Sequence, residues 1–278
     1  VVPQGGNTGL VGGAVATAED QVIVSLRNMN RVISFDEASG VVVCEAGCVL
    51  QELDAWLRER GHECPLDLGA KGSCMIGGNV STHAGGVRYV RHGPLHGSVL
   101  GLEVVLADGS VLDLLNTCRK DNTGLPLKHL FIGSEGALGI ITKVALGVPR
   151  VPTSRSLALA ALPSFAAVCD LLVRARAGLA EALTAFEFID PASVGVLAAA
   201  HPRHLRPAAP LLPAAPGSGP APFLALVEAG SGVVPQGALD DALEGVLSAA
   251  AEAGEVLDAV VAPDGARQAE GWGLREHV

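Results

Sequence analysis

The sequence predicts an α+β fold in two domains, residues 1–150 and residues 151–278. Short apolar, β-branched runs cluster in the first half of the chain instead of alternating regularly with helices. A stretch with Pro149, Pro152 and two arginines then interrupts the pattern near residues 147–156. Beyond it, helical and strand patterns return in a smaller set. With 49% hydrophobic and 17% charged residues, the chain can form a sizeable core.

The first domain is predicted to contain one helix and six short strands. The helix spans residues 49–60, because Leu50, Leu53 and Leu57 recur on one face and Gly61 follows. Asp108-Gly109 lies between two apolar runs and predicts a hairpin. The predicted strands are residues 22–26, 32–35, 41–45, 99–106, 111–114 and 138–146.

The second domain is predicted to contain two helices and three strands. Ser164 can cap a helix that runs to about Arg176, with Gly178 after it. The second helix spans residues 239–253. The predicted strands are residues 186–189, 223–228 and 256–261. Residues 198–222 contain seven prolines and many alanines, which predicts a poorly ordered surface insertion.

Charge and composition exclude several classes of function. The net charge of −10 argues against non-specific nucleic-acid binding. No apolar run is long enough to predict a membrane span. The six cysteines include no Cys-x-x-Cys pair, so they are expected to be reduced core residues of an intracellular protein.

Both ends of the chain suggest a fragment. Val1 precedes a glycine-rich loop by only a few residues, and the chain stops at Val278 with no recognisable closing element. We therefore expect that the start of the first domain is missing and that the second domain is truncated.

Three glycine-rich segments carry the strongest functional signal. They are residues 3–13, with five glycines and no acidic residue, residues 66–86 and residues 131–142. Glycine lets the backbone approach a ligand closely, and successive amides can then point at one anion. Because the segments share this chemistry, they predict a site for a long dinucleotide that lies across several loops.

Two common phosphate-binding motifs are excluded. The glycines at residues 5–13 lack the Gly-x-Gly-x-x-Gly spacing of a Rossmann site, and Pro3 precedes them instead of an apolar strand. The spacing around Lys71 does not match a P-loop.

Several ordered motifs together resemble the FAD-linked 2-hydroxy-acid dehydrogenases, flavoproteins of the vanillyl-alcohol-oxidase (PCMH) type. The likeness is dense over residues 1–148 and sparse afterwards. Its motifs are Pro3-Gln4-Gly5-Gly6-Asn7-Thr8-Gly9, Ile76-Gly77-Gly78-Asn79, Ala84-Gly85-Gly86, His96-Gly97 and Gly133-Ser134-Glu135-Gly136-Ala137-Leu138-Gly139-Ile140-Ile141-Thr142.

The resemblance implies a PCMH-type FAD-binding domain followed by a truncated FAD-linked oxidase C-terminal domain. Residues 4–9 would wrap the FAD pyrophosphate, residues 68–86 would follow the ribityl chain and flavin ring, and Ile141 would place a strand near the cofactor. The implied cofactor-binding residues are Gln4, Gly5, Gly6, Asn7, Thr8, Gly9, Ser73, Gly77, Gly78, Asn79, Thr82, Gly86 and Ile141.

The resemblance also implies a substrate and a reaction. Arg275, within Trp272-Gly273-Leu274-Arg275-Glu276, matches an arginine that binds the substrate carboxylate in this family. The implied reaction is oxidation of D-2-hydroxyglutarate to 2-oxoglutarate, with hydride transfer to flavin N5. Two alternatives remain open: a D-lactate or glycolate dehydrogenase of the same family, and an inactive flavin-binding isoform.

Family members also use a divalent, zinc-like metal and a histidine general base. We expect the metal ligands and this base to lie beyond Val278, so the chain as given is expected to be an incomplete form that does not catalyse the reaction by itself. His201 and His204 have a metal-like spacing but no nearby carboxylate, so we do not interpret them as a zinc site. His83 replaces the family's usual asparagine, and we interpret it as a hydrogen-bonded structural residue.

The partners implied by the resemblance are a small 2-hydroxy acid and an electron-accepting carrier protein such as electron-transfer flavoprotein. Nucleic acid is not expected as a partner. A mitochondrial location is implied by the eukaryotic members of the family.

Overall fold

The structure is a computed structural model that describes residues 1–213 and 221–277. It divides into two compact units, Val1–Val151 and Pro152–Val278. Both units combine helices with antiparallel sheets, so the predicted α+β class is confirmed.

The first unit contains two sheets. A short strand, β1 (Val2–Gln4), pairs in parallel with β2 (Ile23–Ser25). The larger sheet has five antiparallel strands in the order β3-β4-β7-β5-β6. Its strands are β3 (Val32–Asp36), β4 (Val41–Glu45), β5 (Val99–Val105), β6 (Val111–Leu114) and β7 (Ile140–Gly147).

The predicted hairpin joins β5 to β6. Gly109 has φ +83°, a conformation that glycine adopts without steric cost. The Asp108 carboxylate accepts hydrogen bonds from the Ser110 amide at 2.9 Å and the Ser110 hydroxyl at 2.6 Å. These local bonds close the turn and fix the pairing from Leu102 with Leu114 onward.

The helix α1 (Leu50–Arg58) is also confirmed, with its three periodic leucines buried. Two shorter helices, α2 (Ile76–Ser81) and α3 (Tyr89–His92), were not predicted. Glycines at positions 77 and 78 give α2 a low intrinsic helix propensity. Its first turn is instead stabilised from outside, because the amides of Ile76 and Gly77 donate to the carbonyls of Cys48 and Ala46.

The second unit has a four-stranded antiparallel sheet in the order β11-β8-β10-β9. Its strands are β8 (Ser154–Leu162), β9 (Leu183–Ile189), β10 (Phe223–Ser231) and β11 (Asp258–Val261). Its helices are α4 (Phe165–Leu179), α5 (Pro191–Ala200), α6 (Gln236–Glu252) and α7 (Gly265–Glu276). The Ser164 hydroxyl accepts a hydrogen bond from the Ala167 amide at 3.2 Å, which confirms the predicted cap of α4.

The Pro/Ala-rich segment differs from its prediction. Residues 202–211 form a 3-10 helix that buries Leu205, Ala208 and Leu211 against the sheet, so a poorly ordered insertion is wrong for this part. The three apolar residues recur at three-residue spacing, which places them on one side of a 3-10 helix. The prediction for residues 214–220 lies outside the described residues.

A buried carboxylate joins three strands and a helix of the second unit. Glu228 of β10 is only 4% exposed. Its Oε1 atom accepts hydrogen bonds from Thr184 Oγ1 of β9 at 2.6 Å and Arg155 Nη1 of β8 at 3.2 Å. Its Oε2 atom accepts one from Trp272 Nε1 of α7 at 2.8 Å. The network therefore fixes α7 against the sheet.

We expect Glu228→Ala to lower the free energy of unfolding by about 3 kcal/mol, because it removes this carboxylate from the buried Thr184 hydroxyl and from the half-buried Arg155 guanidinium. The measurement is urea unfolding followed by circular dichroism. Glu244→Ala, at an exposed position of α6, is the control and should change the stability by less than about 0.5 kcal/mol. Equal stability of the two variants would contradict a stabilising contribution of the Glu228 network.

Acid should destabilise the first unit through His92. Burial and the neighbouring charges of Arg91 and Arg88 lower the pKa of His92 to about 4. The unfolded chain, with a histidine pKa near 6.5, therefore binds more protons between these values, and stability falls as the pH drops. At pH 5 the loss is about 2 kcal/mol relative to neutral pH. We expect His92→Gln to lose less stability between pH 7 and pH 5 than the unmodified protein, measured by urea unfolding; parallel losses would contradict this.

Candidate functional site

The first unit contains a cavity of about 530 Å³. All three glycine-rich segments line it, although they are far apart in the sequence. The structure places eleven of the thirteen implied cofactor-binding residues in its lining: Gln4, Gly5, Gly6, Asn7, Thr8, Gly9, Gly77, Gly78, Asn79, Thr82 and Ile141.

One wall is the loop of residues 5–9, which directly follows β1. The Gln4 side chain anchors it by donating from Nε2 to the Ala14 carbonyl at 2.7 Å. Within the described ranges, the backbone amides of residues 5–9 donate to no protein acceptor. Asn7 adopts a left-handed conformation with φ +53°. Unpaired amides in a turned backbone form a concave site that favours an anion such as a phosphate.

Close backbone contacts explain two of the glycines. A Cβ atom at Gly6 would overlap the Ser73 carbonyl and lie 2.9 Å from Cys74 Cα. A Cβ atom at Gly77 would lie 2.5 Å from Ala46 Cβ and 3.0 Å from the Ala46 carbonyl oxygen. Both glycines are therefore required by the packing of the protein itself.

Gly78 differs from these two. A Cβ atom at this position would meet nothing within 4 Å, although Gly78 lines the cavity. Its amide also donates to no acceptor in the part of the chain that the structure describes. The packing of the protein would therefore tolerate a side chain at position 78. A ligand in the cavity that approaches the backbone closely would instead require glycine there.

Asn79 brings a buried polar side chain to the cavity. The residue is 5% exposed and lines the cavity. Its side chain hydrogen-bonds the Cys74 thiol, whose pKa is raised by burial. The Asn79 Oδ1 atom has no partner among the described residues. Since buried polar atoms are normally paired, this acceptor indicates a donor on a ligand.

The loop before β7 also lines the cavity and lies next to residues 3–13, because a Cβ atom at Gly136 would be 2.8 Å from Pro3 Cγ. Gly133, Glu135 and Gly136 all have positive φ, and the Glu135 amide donates to the Ser81 carbonyl at 2.9 Å. Glu135 and Ile140 join Ile141 in the lining. Glu135 is not among the cofactor-binding residues implied by the resemblance, although it lies inside one of the motifs that carry it.

Ser73 and Gly86 do not line this cavity. The Ser73 carbonyl instead contacts the backbone of Gly6, where a Cβ atom would overlap it. A Cβ atom at Gly86 would overlap the Asp67 carbonyl. Both residues therefore shape the backbone around the site. Thr82 lines the cavity, and its hydroxyl donates to the Gly78 carbonyl at 3.0 Å.

His83 lies outside the lining of the cavity, with φ +49°. Its Nε2 atom accepts a hydrogen bond from the His96 amide at 3.4 Å, and its ring contacts the His96 ring edge to face. His83 is thus a hydrogen-bonded residue that links its own segment to the segment of His96.

Arg275 lies in the second unit, on the last turn of α7. Its Nε atom donates to Glu187 Oε2 of β9 at 3.0 Å. Neither Nη atom has a hydrogen-bond partner among the described residues. The terminal edge of the guanidinium is therefore available to a carboxylate, which it can bind through two parallel bonds.

The second unit also brings three histidines together. His204 stacks on His277 with 3.6 Å between ring centroids, and His201 contacts both rings. Burial and the neighbouring His277 lower the pKa of His204. Over residues 1–213 and 221–277, no group of three or more His, Cys, Asp or Glu side chains is arranged to hold a metal ion. Across the same residues, no helix is long and apolar enough to cross a membrane.

Comparisons with known proteins match both units. Residues 1–115 match the family described as "FAD binding domain", and residues 151–278 match "FAD linked oxidases, C-terminal domain". A mitochondrial D-2-hydroxyglutarate dehydrogenase of Arabidopsis thaliana is 58% identical over 197 residues, which are 71% of this chain and 35% of the relative. The mitochondrial D-2-hydroxyglutarate dehydrogenase of Rattus norvegicus is 45% identical over 278 residues, covering 100% of this chain and 49% of the relative.

The chain thus spans about half the length of the curated relatives that it matches throughout. Among solved structures, an alkyldihydroxyacetonephosphate synthase superposes with a TM-score of 0.77. The two share 20% identity, and the match covers 99% of this chain and 49% of the synthase. This likeness supports the fold.

Neighbouring glycines of α2 give a direct test of the cavity as the FAD site. We expect Gly78→Ala to keep the stability of the protein but to weaken FAD binding about tenfold, because the methyl group enters the cavity and costs about 1.4 kcal/mol. Gly77→Ala should instead lower the free energy of unfolding by about 2 kcal/mol through overpacking against Ala46. The measurements are thermal unfolding and titration of the apoprotein with FAD. Normal FAD affinity of Gly78→Ala would show that the cofactor does not occupy this part of the cavity.

Proposed function

Because the chain belongs to the family of FAD-linked oxidases and carries its FAD-binding domain, we propose that the protein oxidises D-2-hydroxyglutarate to 2-oxoglutarate. The proposal is supported by relatives that bear this name and align with the whole chain. The observation that carries it in the structure is the cavity with free amides at residues 5–9 and the unpaired Asn79 Oδ1 atom.

The lining of this cavity fits FAD. The amides of residues 5–9 would bind the pyrophosphate, Gly78 leaves space for close approach, and Asn79 Oδ1 would accept a hydrogen bond from the cofactor. When bound, FAD supplies a hydride acceptor. The contribution of the protein is to hold its cofactor in a cavity whose walls, including Leu26, Leu68 and Met75, are largely apolar.

Arg275 would bind and orient the substrate. Its free Nη edge matches a carboxylate of a 2-hydroxy acid, and two parallel hydrogen bonds would fix both the position and the plane of that carboxylate. The described residues do not supply a set of metal ligands, so no step is assigned to a metal.

The electron acceptor and the compartment are parts of the same proposal. Reduced flavin must be reoxidised, and we propose an electron carrier protein, such as an electron-transfer flavoprotein, for this step. A mitochondrial location is supported by the names of the aligned relatives.

The test is the visible spectrum of the FAD-reconstituted protein during anaerobic titration with 2-hydroxy acids. We expect a yellow protein whose flavin spectrum responds to D-2-hydroxyglutarate at lower concentration than to D-lactate or glycolate. Bleaching would report hydride transfer, and a shifted band without bleaching would report binding. Arg275→Lys should weaken the response about tenfold or more, because lysine cannot form the bidentate pair.

Three outcomes would contradict the proposal in different ways. A folded but colourless protein after reconstitution would contradict the FAD site. A stronger response to D-lactate or glycolate would favour a dehydrogenase for the shorter acids. A yellow protein that responds to none of the three acids would favour an inactive flavin-binding module.

A further inference from the structure

We propose that Glu187 is a positioning residue that holds the Arg275 guanidinium ready to bind a carboxylate. This inference rests on the proposed role of Arg275 in substrate binding. It follows from the contacts around the last turn of α7, where the backbone is fixed by one set of residues and the guanidinium by another.

The backbone of α7 is held close to the sheet before Arg275 is reached. Trp272 Nε1 donates to the buried Glu228 at 2.8 Å. A Cβ atom at Gly271 would lie 2.8 Å from Leu157 Cδ2, so the helix packs closely on β8 there. Leu274 is fully buried in the apolar cluster of the second unit. These contacts fix the position of the Arg275 Cα atom but not the direction of its long side chain.

Glu187 supplies that direction. It lies on β9 directly opposite Leu226 of the central strand β10, so its own backbone is fixed by the sheet. Its Oε2 atom accepts one hydrogen bond from Arg275 Nε at 3.0 Å. Because the guanidinium is planar and rigid, a bond at Nε orients the two Nη atoms as well. The Nη edge remains available for a second carboxylate.

Two effects of Glu187 on carboxylate binding oppose each other. Its negative charge repels an incoming carboxylate and cancels part of the Arg275 charge. Its hydrogen bond removes the cost of ordering the arginine when the ligand binds, a cost of several-fold in affinity for one flexible side chain. The side chains of Arg275 and Glu187 are 34% and 27% exposed, so solvent weakens the repulsion between the two carboxylates. Positioning is therefore expected to outweigh repulsion.

Positioning and charge cancellation predict opposite changes in ligand affinity when Glu187 is substituted. If Glu187 positions Arg275, Glu187→Ala should bind D-2-hydroxyglutarate about fivefold more weakly, although the variant loses a negative charge beside the ligand. Glu187→Gln keeps an acceptor oxygen near Arg275 Nε and should stay within about threefold of the unmodified protein. If Glu187 only cancels charge, both variants should bind the ligand more tightly.

The experiment combines calorimetric titration with an NMR readout of the arginine. The intact protein and the variants are titrated with D-2-hydroxyglutarate and with glutarate, which lacks the hydroxyl group. The Arg275 Nε–Hε resonance, assigned by its loss in Arg275→Lys, should be protected from exchange in the unmodified protein and exposed in Glu187→Ala. Glu270→Gln, which breaks the exposed Arg267 pair on the same helix, is the matched control and should change neither readout.

The outcomes separate this inference from the proposed function. Weaker binding of both ligands by Glu187→Ala, with normal Glu187→Gln, supports the positioning role. Glutarate binding that depends on Glu187, without binding of D-2-hydroxyglutarate, supports the positioning role and overturns the proposed substrate. Unchanged or tighter binding by Glu187→Ala overturns the positioning role and leaves the substrate in place. Binding of neither ligand by the folded protein overturns both.

Discussion

The candidate cofactor site depends on a few places where two backbone segments meet at a distance that only glycine permits. Gly6 lies against the Ser73 carbonyl, and Gly77 lies against Ala46. These contacts bring the loop after β1 and the short helix α2 to the same cavity, although about 70 residues separate them in the sequence. The free amides and the unpaired Asn79 oxygen depend on this approach, because a side chain at either glycine would separate the segments.

The second unit reaches its arrangement by a different route. Leu274 of α7 packs into the apolar cluster on one face of its sheet, and Glu228 supplies a buried polar contact to the same helix. Since a buried charge is stable only with partners, Glu228 draws Arg155, Thr184 and Trp272 toward one point. The helix is thereby oriented, and Glu187 then needs only one hydrogen bond to orient the arginine at its end.

Local patterns predicted the elements that local interactions stabilise. The Asp108-Gly109 hairpin and α1 contain their own turn and periodicity signals, and both are confirmed. The strand β8 has no alternation because it is buried along most of its length, and its first residues lie in the stretch interpreted as a domain boundary. The helix α2 contains two glycines and forms because distant carbonyls accept its first amides. In β8 and α2, tertiary contacts outweigh local propensity.

The candidate site, too, was predicted where motifs mark it and missed where it depends on tertiary contacts. Motifs selected the segments that line the cavity, but they could not separate residues that face it from residues that support it, such as Ser73 and Gly86. The helix of residues 202–211 was missed because proline content masked an apolar period of three. The Glu187–Arg275 pair joins positions far apart in the sequence, and no local signal connects them.

The adjacent glycines of α2 are constrained in two different ways. Gly77 is required by the protein's own packing, whereas the space beside Gly78 is left open by the protein. In a lineage that kept this fold but abandoned its cofactor, larger residues could accumulate at position 78 while position 77 stayed constrained. Under the proposal that a cofactor occupies this cavity, the residue at position 78 would report on cofactor binding, whereas the residue at position 77 would report only on the fold.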